Sequence, residues 1–431
     1  MAADPETYWR AFAGWAAGPL SPGPVAVERA ENAIIDTVAC IVAGERSPAA
    51  RAAHALGSGV SAEAFRLAAA GHAHELDDYD RPSVAHPSTV LVPVILALAA
   101  HRPVSGRAAV AGFVAGLEAM DRMGEAVNPA HYERGWHATG TLGQIGAAVT
   151  AGRLIGLGAE QMLVAMTIAT SAAASLKAQF GSTGKPLHAG FAAMNGINAA
   201  LLAEGGAIGR VETLAQFAEL FGPGEPIALR PFAHPLAIEE FGLVVKLWPC
   251  CGYLGRLVPA AIALSTEVAS AEIASIEVEM PARNLAVAGF GMPETVDEAR
   301  FSAPYCVAAG LTDGALNIRH FTEAAIGRAD LRALAGKVSC KATTRQQSPV
   351  DLAPEDPDRL TVHLTSGRGV ERVCDLLPGS PENPVPRARL FQKLSEAAPD
   401  PERERRLLEQ LAAISDSPDL IGLSCFLERA G

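Results

Sequence analysis

The densest run of ionisable side chains in the chain is His72-Ala73-His74-Glu75-Leu76-Asp77-Asp78-Tyr79-Asp80, followed shortly by His86. Crowded carboxylates beside histidines shift one another's pKa values, so this run can supply a general acid or base. A divalent metal site is the rival reading. His72 and His74 cannot face the same way on a helix, however, and there is no HExxH or similar spacing, so no metal is expected. The plainest alternative is a solvated acidic loop with one capping aspartate.

Five further places join an ionisable residue to the start of a helix. His86-Pro87-Ser88 leads into Thr89–Ala100 with Ser88 as the expected N-cap, and His137-Ala138-Thr139 leads into Gly140–Ile155 with Thr139 as the cap. Lys185-Pro186 opens Leu187–Glu204, proline suiting the first turn. Lys246 precedes a helix expected over Gly252–Ser265, and Tyr305 follows Pro304 at the head of another. A helix start presents unpaired N–H groups and partial positive charge, and a neighbouring Lys or His makes it an anion site. One such site means little. Several converging would cage a small polyanion.

Other chemistries thin out. No GxSxG elbow, GxxxxGK[ST] loop or GxGxxG unit is present. Gly181-Ser182-Thr183-Gly184-Lys185 resembles a phosphate loop only until Pro186. Cys250-Cys251 near a helix start is a candidate nucleophile, but a buried structural role is the expectation.

The elements that must position these groups change character along the chain. From Pro24 to Leu243 the pattern is helical, with segments at Val25–Ala43, Val104–Met123, Leu142–Ile155 and Pro186–Glu204. After Pro249, alternation at Ala274–Met280 and Leu360–Leu364 predicts strands. Ser366-Gly367-Arg368-Gly369 then turns the chain into Val370–Val373, a hairpin. Helices are expected over Pro304–Ile318 and Arg328–Ala335, and helical patterning returns from Arg387 to Leu427. The fold class is therefore mostly α with a smaller α+β domain. A helical domain of residues 1–245, completed by 387–431, would carry an inserted α+β lid of residues 246–386.

Composition bounds the partners. With 35 basic and 47 acidic residues the net charge is −12, and no basic tract offers itself to nucleic acid. The acidic opening lacks the cationic start and apolar run of a secretion signal, so none is expected there, and the most apolar stretch, Thr89–Ala100, is too short for a bilayer. Seven cysteines without a CxxC pair favour no disulfide framework, zinc site or iron–sulfur cluster, and a reducing cytoplasm is the expected location.

Taken together, these segments resemble the MmgE/PrpD family. The matching stretches are Asp36–Gly44, His74–Asp78 with His86-Pro87-Ser88, Gly135–Gly140, Lys185–Gly190, Lys246–Cys251 and Phe301–Cys306, in the family's order. The resemblance implies a helical domain, an inserted α+β lid, a homodimer, and a site between the domains that needs no metal or organic cofactor. It places active-site roles on Glu75, Tyr79, His86, His137, Lys185, Lys246 and Tyr305. Two positions depart from the family pattern: Glu75 stands where aspartate is usual, and Tyr79 where threonine is usual.

The expected chemistry is proton removal next to a carboxylate of a small di- or tricarboxylate. Glu75, His86, His137, Lys185 and Tyr305 would be catalytic; Tyr79, Lys246, Asp78, Ser88 and Thr139 would bind substrate. Loss of hydroxide makes a hydro-lyase, the first reading by analogy with 2-methylcitrate dehydratase; loss of carbon dioxide makes a decarboxylase, and reprotonation on the other face an epimerase. A non-catalytic carboxylate binder is the alternative of another class.

Overall fold

Alanine and glycine let the N-terminal helices approach closely, and the packing uses that freedom. In the computed structural model, which describes residues 4–224, 229–345, 352–398 and 400–428, the Gly184–Glu204 helix packs against the Ala138–Ile155 and Val60–His72 helices. At Gly196 a Cβ would lie 2.2 Å from the Cβ of Ala147, so only glycine permits that crossing.

Apolar side chains from Tyr8 to Ile238 form one core, and Leu390, Leu394, Leu407, Leu411 and Leu423 complete it from the far end of the sequence. A second core runs from Val244 to Leu377. The Arg387–Ala397 helix returns to pack on the Pro24–Gly44 helix. None of the helices among the described residues is long and apolar enough to cross a membrane.

The sheet has four strands: β1 (Ile273–Met280), β2 (Val338–Ala342), β3 (Asp358–Leu364) and β4 (Gly369–Cys374). Their order is β2-β1-β3-β4, with β1 parallel to β2 and the other pairs antiparallel. β1 and the β3–β4 hairpin fall where alternation placed them. β2 had no such signal, because it is short, mostly exposed and paired only through a crossover.

Two expected helices are cut short. The stretch from Gly252 is a single 3-10 turn, Gly252–Leu254, and the α-helix runs only over Leu257–Leu264. Gly252 lies beneath the Tyr79 ring, where a Cβ would be 2.7 Å from Cε1, so close approach to that ring takes precedence over helix continuity. The helix after Pro304 covers Ala303–Asp313 and stops at Gly314, which adopts φ 62°.

Candidate active site

The Val60–His72 helix ends in a turn that carries Glu75 at φ 52°, an unusual conformation for a residue with a Cβ. That turn aims the Glu75 carboxylate inward. It pairs with Lys185 Nζ, from the first turn of the Gly184–Glu204 helix, and lies 3.3 Å from Lys246 Nζ. Lys246 is registered to the turn through the backbone: Tyr79 N donates to Val244 O (3.1 Å), and Val244 N donates to Tyr79 O (2.8 Å). Burial alone would raise the Glu75 pKa, but the two lysines outweigh it and hold the carboxyl well below its usual range.

Asp77 organises two histidines. Its Oδ2 lies 2.7 Å from His72 Nδ1 and 3.2 Å from His86 Nδ1. His86 Nδ1 is also 2.8 Å from the carbonyl oxygen of Asp78, an acceptor, so Nδ1 carries the proton and Nε2 keeps its lone pair. Burial pushes His86 down to about 4, so the ring is neutral near pH 7.

The His137 ring stacks on His72 with centroids 5.7 Å apart. His137 Nδ1 is 2.9 Å from His188 Nδ1, so one of the two rings donates to the other. His137 Nε2 is buried with no hydrogen-bond partner among the described residues, and burial holds this ring, too, well below its ordinary pKa.

One cavity collects Glu75, Tyr79, His86, His137 and Lys185 from widely separated segments. Lys246 lies behind Glu75. The Lys185 ammonium rests over the Phe180 and Phe301 rings, 4.8 and 5.0 Å from their centroids. Cys251 also lines the space, but burial raises its thiol to about 12, so it is no thiolate nucleophile at neutral pH.

Besides Lys246, four expected site residues do not line the cavity. Tyr305 turns into the second core, where its hydroxyl donates to His320 O. Ser88 and Thr139 are helix residues, not N-caps: Ser88 Oγ donates to Asp78 Oδ2 (2.5 Å), and Thr139 Oγ1 accepts from His86 N (3.0 Å). Asp78 is fully buried, and burial raises its pKa. Ser88, Thr139 and Asp78 thus brace the His86 segment from behind.

The N-terminal domain model of the MmgE/PrpD family matches residues 57–222, and the C-terminal domain model matches residues 248–415. The chain belongs to the MmgE/PrpD family. It is 28% identical over 291 residues to the cis-aconitate decarboxylase of Homo sapiens, covering 64% of this chain and 60% of that protein. It is 26% identical over 443 residues to the cis-aconitate decarboxylase-like protein oryM of Aspergillus oryzae, covering 91% of each. The cis-aconitate decarboxylase of Aspergillus terreus is 29% identical over 265 residues, 52% of this chain and 53% of that protein.

In this MmgE/PrpD chain His72 and Asp77, noted in the ionisable run but given no site role, support His86, and His188 and the aromatic wall of Tyr132, Phe180 and Tyr253 were not expected. His188 lies three residues after Lys185 on one helix, a same-face spacing legible in Lys185-Pro186-Leu187-His188. His72, Asp77 and His86 offer ligand atoms within 4.8 Å of one another. His72 Nδ1 is 2.7 Å from Asp77 Oδ2 and His86 Nδ1 donates to Asp78 O, so hydrogen bonds within the protein already engage both rings. Tyr132, Phe180 and Tyr253 carried no signal, because lone aromatics are ordinary core residues until the fold brings them together.

Proposed function

We propose that this protein is a lyase acting on a small carboxylate by proton transfer at carbon. One observation carries the reading: the His86 and His137 rings, both neutral by burial, share one cavity with the Lys185 ammonium. The relatives, named as cis-aconitate decarboxylases, support an enzyme of lyase or decarboxylase type and put decarboxylation first.

A substrate carboxylate would pair with Lys185 in competition with Glu75. The bond from carbon to a second carboxylate breaks, carbon dioxide leaves, and the electron pair stays on carbon. Lys185 stabilises that developing charge in a desolvated site. With His188 Nδ1–H donating to His137 Nδ1, the His137 proton sits on Nε2 and passes from there to the carbon, and a proton from solvent restores it.

Dehydration is the second reading. It is favoured by a base with a free lone pair, His86 Nε2, facing the same cavity as a potential acid, His137. His86 would take the proton and His137 would protonate the leaving hydroxide.

The test incubates the protein in heavy water with cis-aconitate, citrate, 2-methylcitrate, iminodisuccinate and 2-substituted succinates. Carbon dioxide, lost water and carbon-bound deuterium are measured. Turnover of at least one acid is expected, with His137→Gln reducing it by about 100-fold or more while the protein stays folded. If no acid loses carbon dioxide or water and none takes up deuterium, the lyase reading falls.

A further inference from the structure

We propose that Asp80 and Asp121 share one proton between their carboxyl groups, and that this acid pair latches the loop from Asp80 to His86 onto the Gly106–Val127 helix. Both are then positioning residues for Val84 and His86. The inference rests on the lyase reading only for what those two residues do, because the latch itself is observable without turnover.

The surroundings of the pair leave a proton as the one thing that can join it. Both side chains are buried, and their carboxyls hydrogen-bond to each other. Two carboxyl groups can do so only when one of them carries a proton. Among the described residues, no N–H or O–H reaches either oxygen of Asp121. Arg122, next in the helix, is the cation that bears on Asp121, but its guanidinium is engaged elsewhere. It donates to Glu118, Glu125, Glu240 and Pro235 O. Glu118 adds a negative charge from the same helix.

Asp80 meets neutral donors: its Oδ1 accepts from Ser83 N (2.8 Å) and Ser83 Oγ (2.5 Å). Arg81 beside it pairs with Glu382 instead, and the ionisable groups of the cavity wall it shares are Glu75, Tyr79, His86, His137 and Lys185. Without the shared proton, two buried anions would sit in contact, a strongly unfavourable state. Burial, joined at Asp121 by the charge of Asp80, holds both acids above the ordinary carboxylate range.

What the pair holds is a strained loop. Val84 lies at φ 52°, an unfavourable conformation for a β-branched residue, so the loop needs anchorage to keep it. Asp80 N donates to Ala85 O (3.0 Å) and closes the loop on itself. Asn128 Nδ2 donates to Pro82 O (3.1 Å) and Ser83 O (2.8 Å), just past the end of the same helix. Asp121 supplies the remaining anchor, one side chain away from Val84 and His86, which line the cavity with Asp80.

Thermal melts across pH test the shared proton with no substrate present. An acid whose pKa folding raises stabilises the fold below its ordinary pKa of about 4, and this contribution is lost as pH climbs through the raised value. Asp121→Asn puts an amide N–H where the proton sits, at every pH. Its melting temperature should gain on the parent's by about 3 °C or more between about pH 5 and pH 8.5. Asp80→Asn should gain likewise, so either variant decides if the other does not fold. Curves that run parallel to the parent's overturn the inference.

Kinetics on whichever acid is turned over test the positioning. Parent KM should rise towards alkaline pH and Asp121→Asn should reduce that rise. Asp121→Leu, which offers Asp80 no partner, should lower kcat/KM by about tenfold or more. A leucine variant as active as the parent overturns the latch, and so does an asparagine variant that keeps the full alkaline rise. If the melts diverge while no acid is turned over, the lyase reading falls and the shared proton stands. Turnover with parallel melts has the opposite meaning.

Discussion

Lys393 Nζ lies 2.6 Å from Asp36 Oδ1, and both side chains are buried. The same ammonium also donates to Leu76 O (2.7 Å) and Lys246 O (3.2 Å), which uses all three of its protons. A C-terminal helix thereby holds the turn between Glu75 and Asp77 and the backbone of Lys246 itself.

Removing one member of this pair strands a charge. Lys393→Met should cost about 3–5 kcal/mol and reduce turnover, whereas Lys393→Met with Asp36→Asn should recover part of the loss. Urea denaturation of the two single variants and the double variant measures the coupling. A cost for Lys393→Met below about 1 kcal/mol would show that the clamp contributes little.

If the reaction is dehydration, with His86 as base, the acid limb of kcat/KM should reflect a buried imidazole. Burial, with help from Lys246 and Lys185 and against Asp77, lowers His86 to about 4. A base with that pKa stays unprotonated through pH 6.5, so activity is lost only as the pH falls towards about 4. Lys246→Met removes a cation that disfavours protonation and should move the limb upward, on the order of half a pH unit. A limb near 6.5 in the parent protein would point to a different base.

Tyr305→Phe separates the structural role of this residue from the catalytic one first expected for it. Its hydroxyl serves His320 O away from the cavity, so kcat/KM should stay within about twofold while stability drops by about 1–2 kcal/mol. A 100-fold loss of kcat/KM in a folded variant would restore Tyr305 to the site.

Gly124→Ala tests how the Tyr79–His86 loop is seated. Alanine normally improves a helix interior by up to about 1 kcal/mol. Here its Cβ would lie 2.5 Å from Ser83 Cα, and Asn128 Nδ2 already ties down Ser83 O at 2.8 Å. The substitution should cost about 1–3 kcal/mol and raise KM, because Val84 and His86 ride on that loop. Thermal melts and steady-state kinetics read both effects.

Much of this architecture is written locally. Helical periodicity between Pro24 and Leu243, alternation in β1 and the glycine turn of the β3–β4 hairpin are short-range patterns, and each forms where its pattern lies. Residue type and helix position likewise marked His86, His137, Lys185, Lys246 and Tyr305 as candidates to cage a polyanion, and the family resemblance added Glu75; of these, Tyr305 faces elsewhere.

What each side chain faces was decided by packing. Tyr305 has the same neighbours in sequence whether its ring turns to the cavity or to the second core, and Ser88 reads as a cap until the fold places it inside the helix with its hydroxyl donating to Asp78. His188 became the partner of His137, and Lys393 reached Asp36 across 357 positions, only when helices remote in sequence packed together. Sequence patterns encode which faces are apolar, and so the elements and the chemical types available. Burial depth, cation pairing and the aromatic wall of the cavity depend on distances between separate segments, which only the folded chain defines.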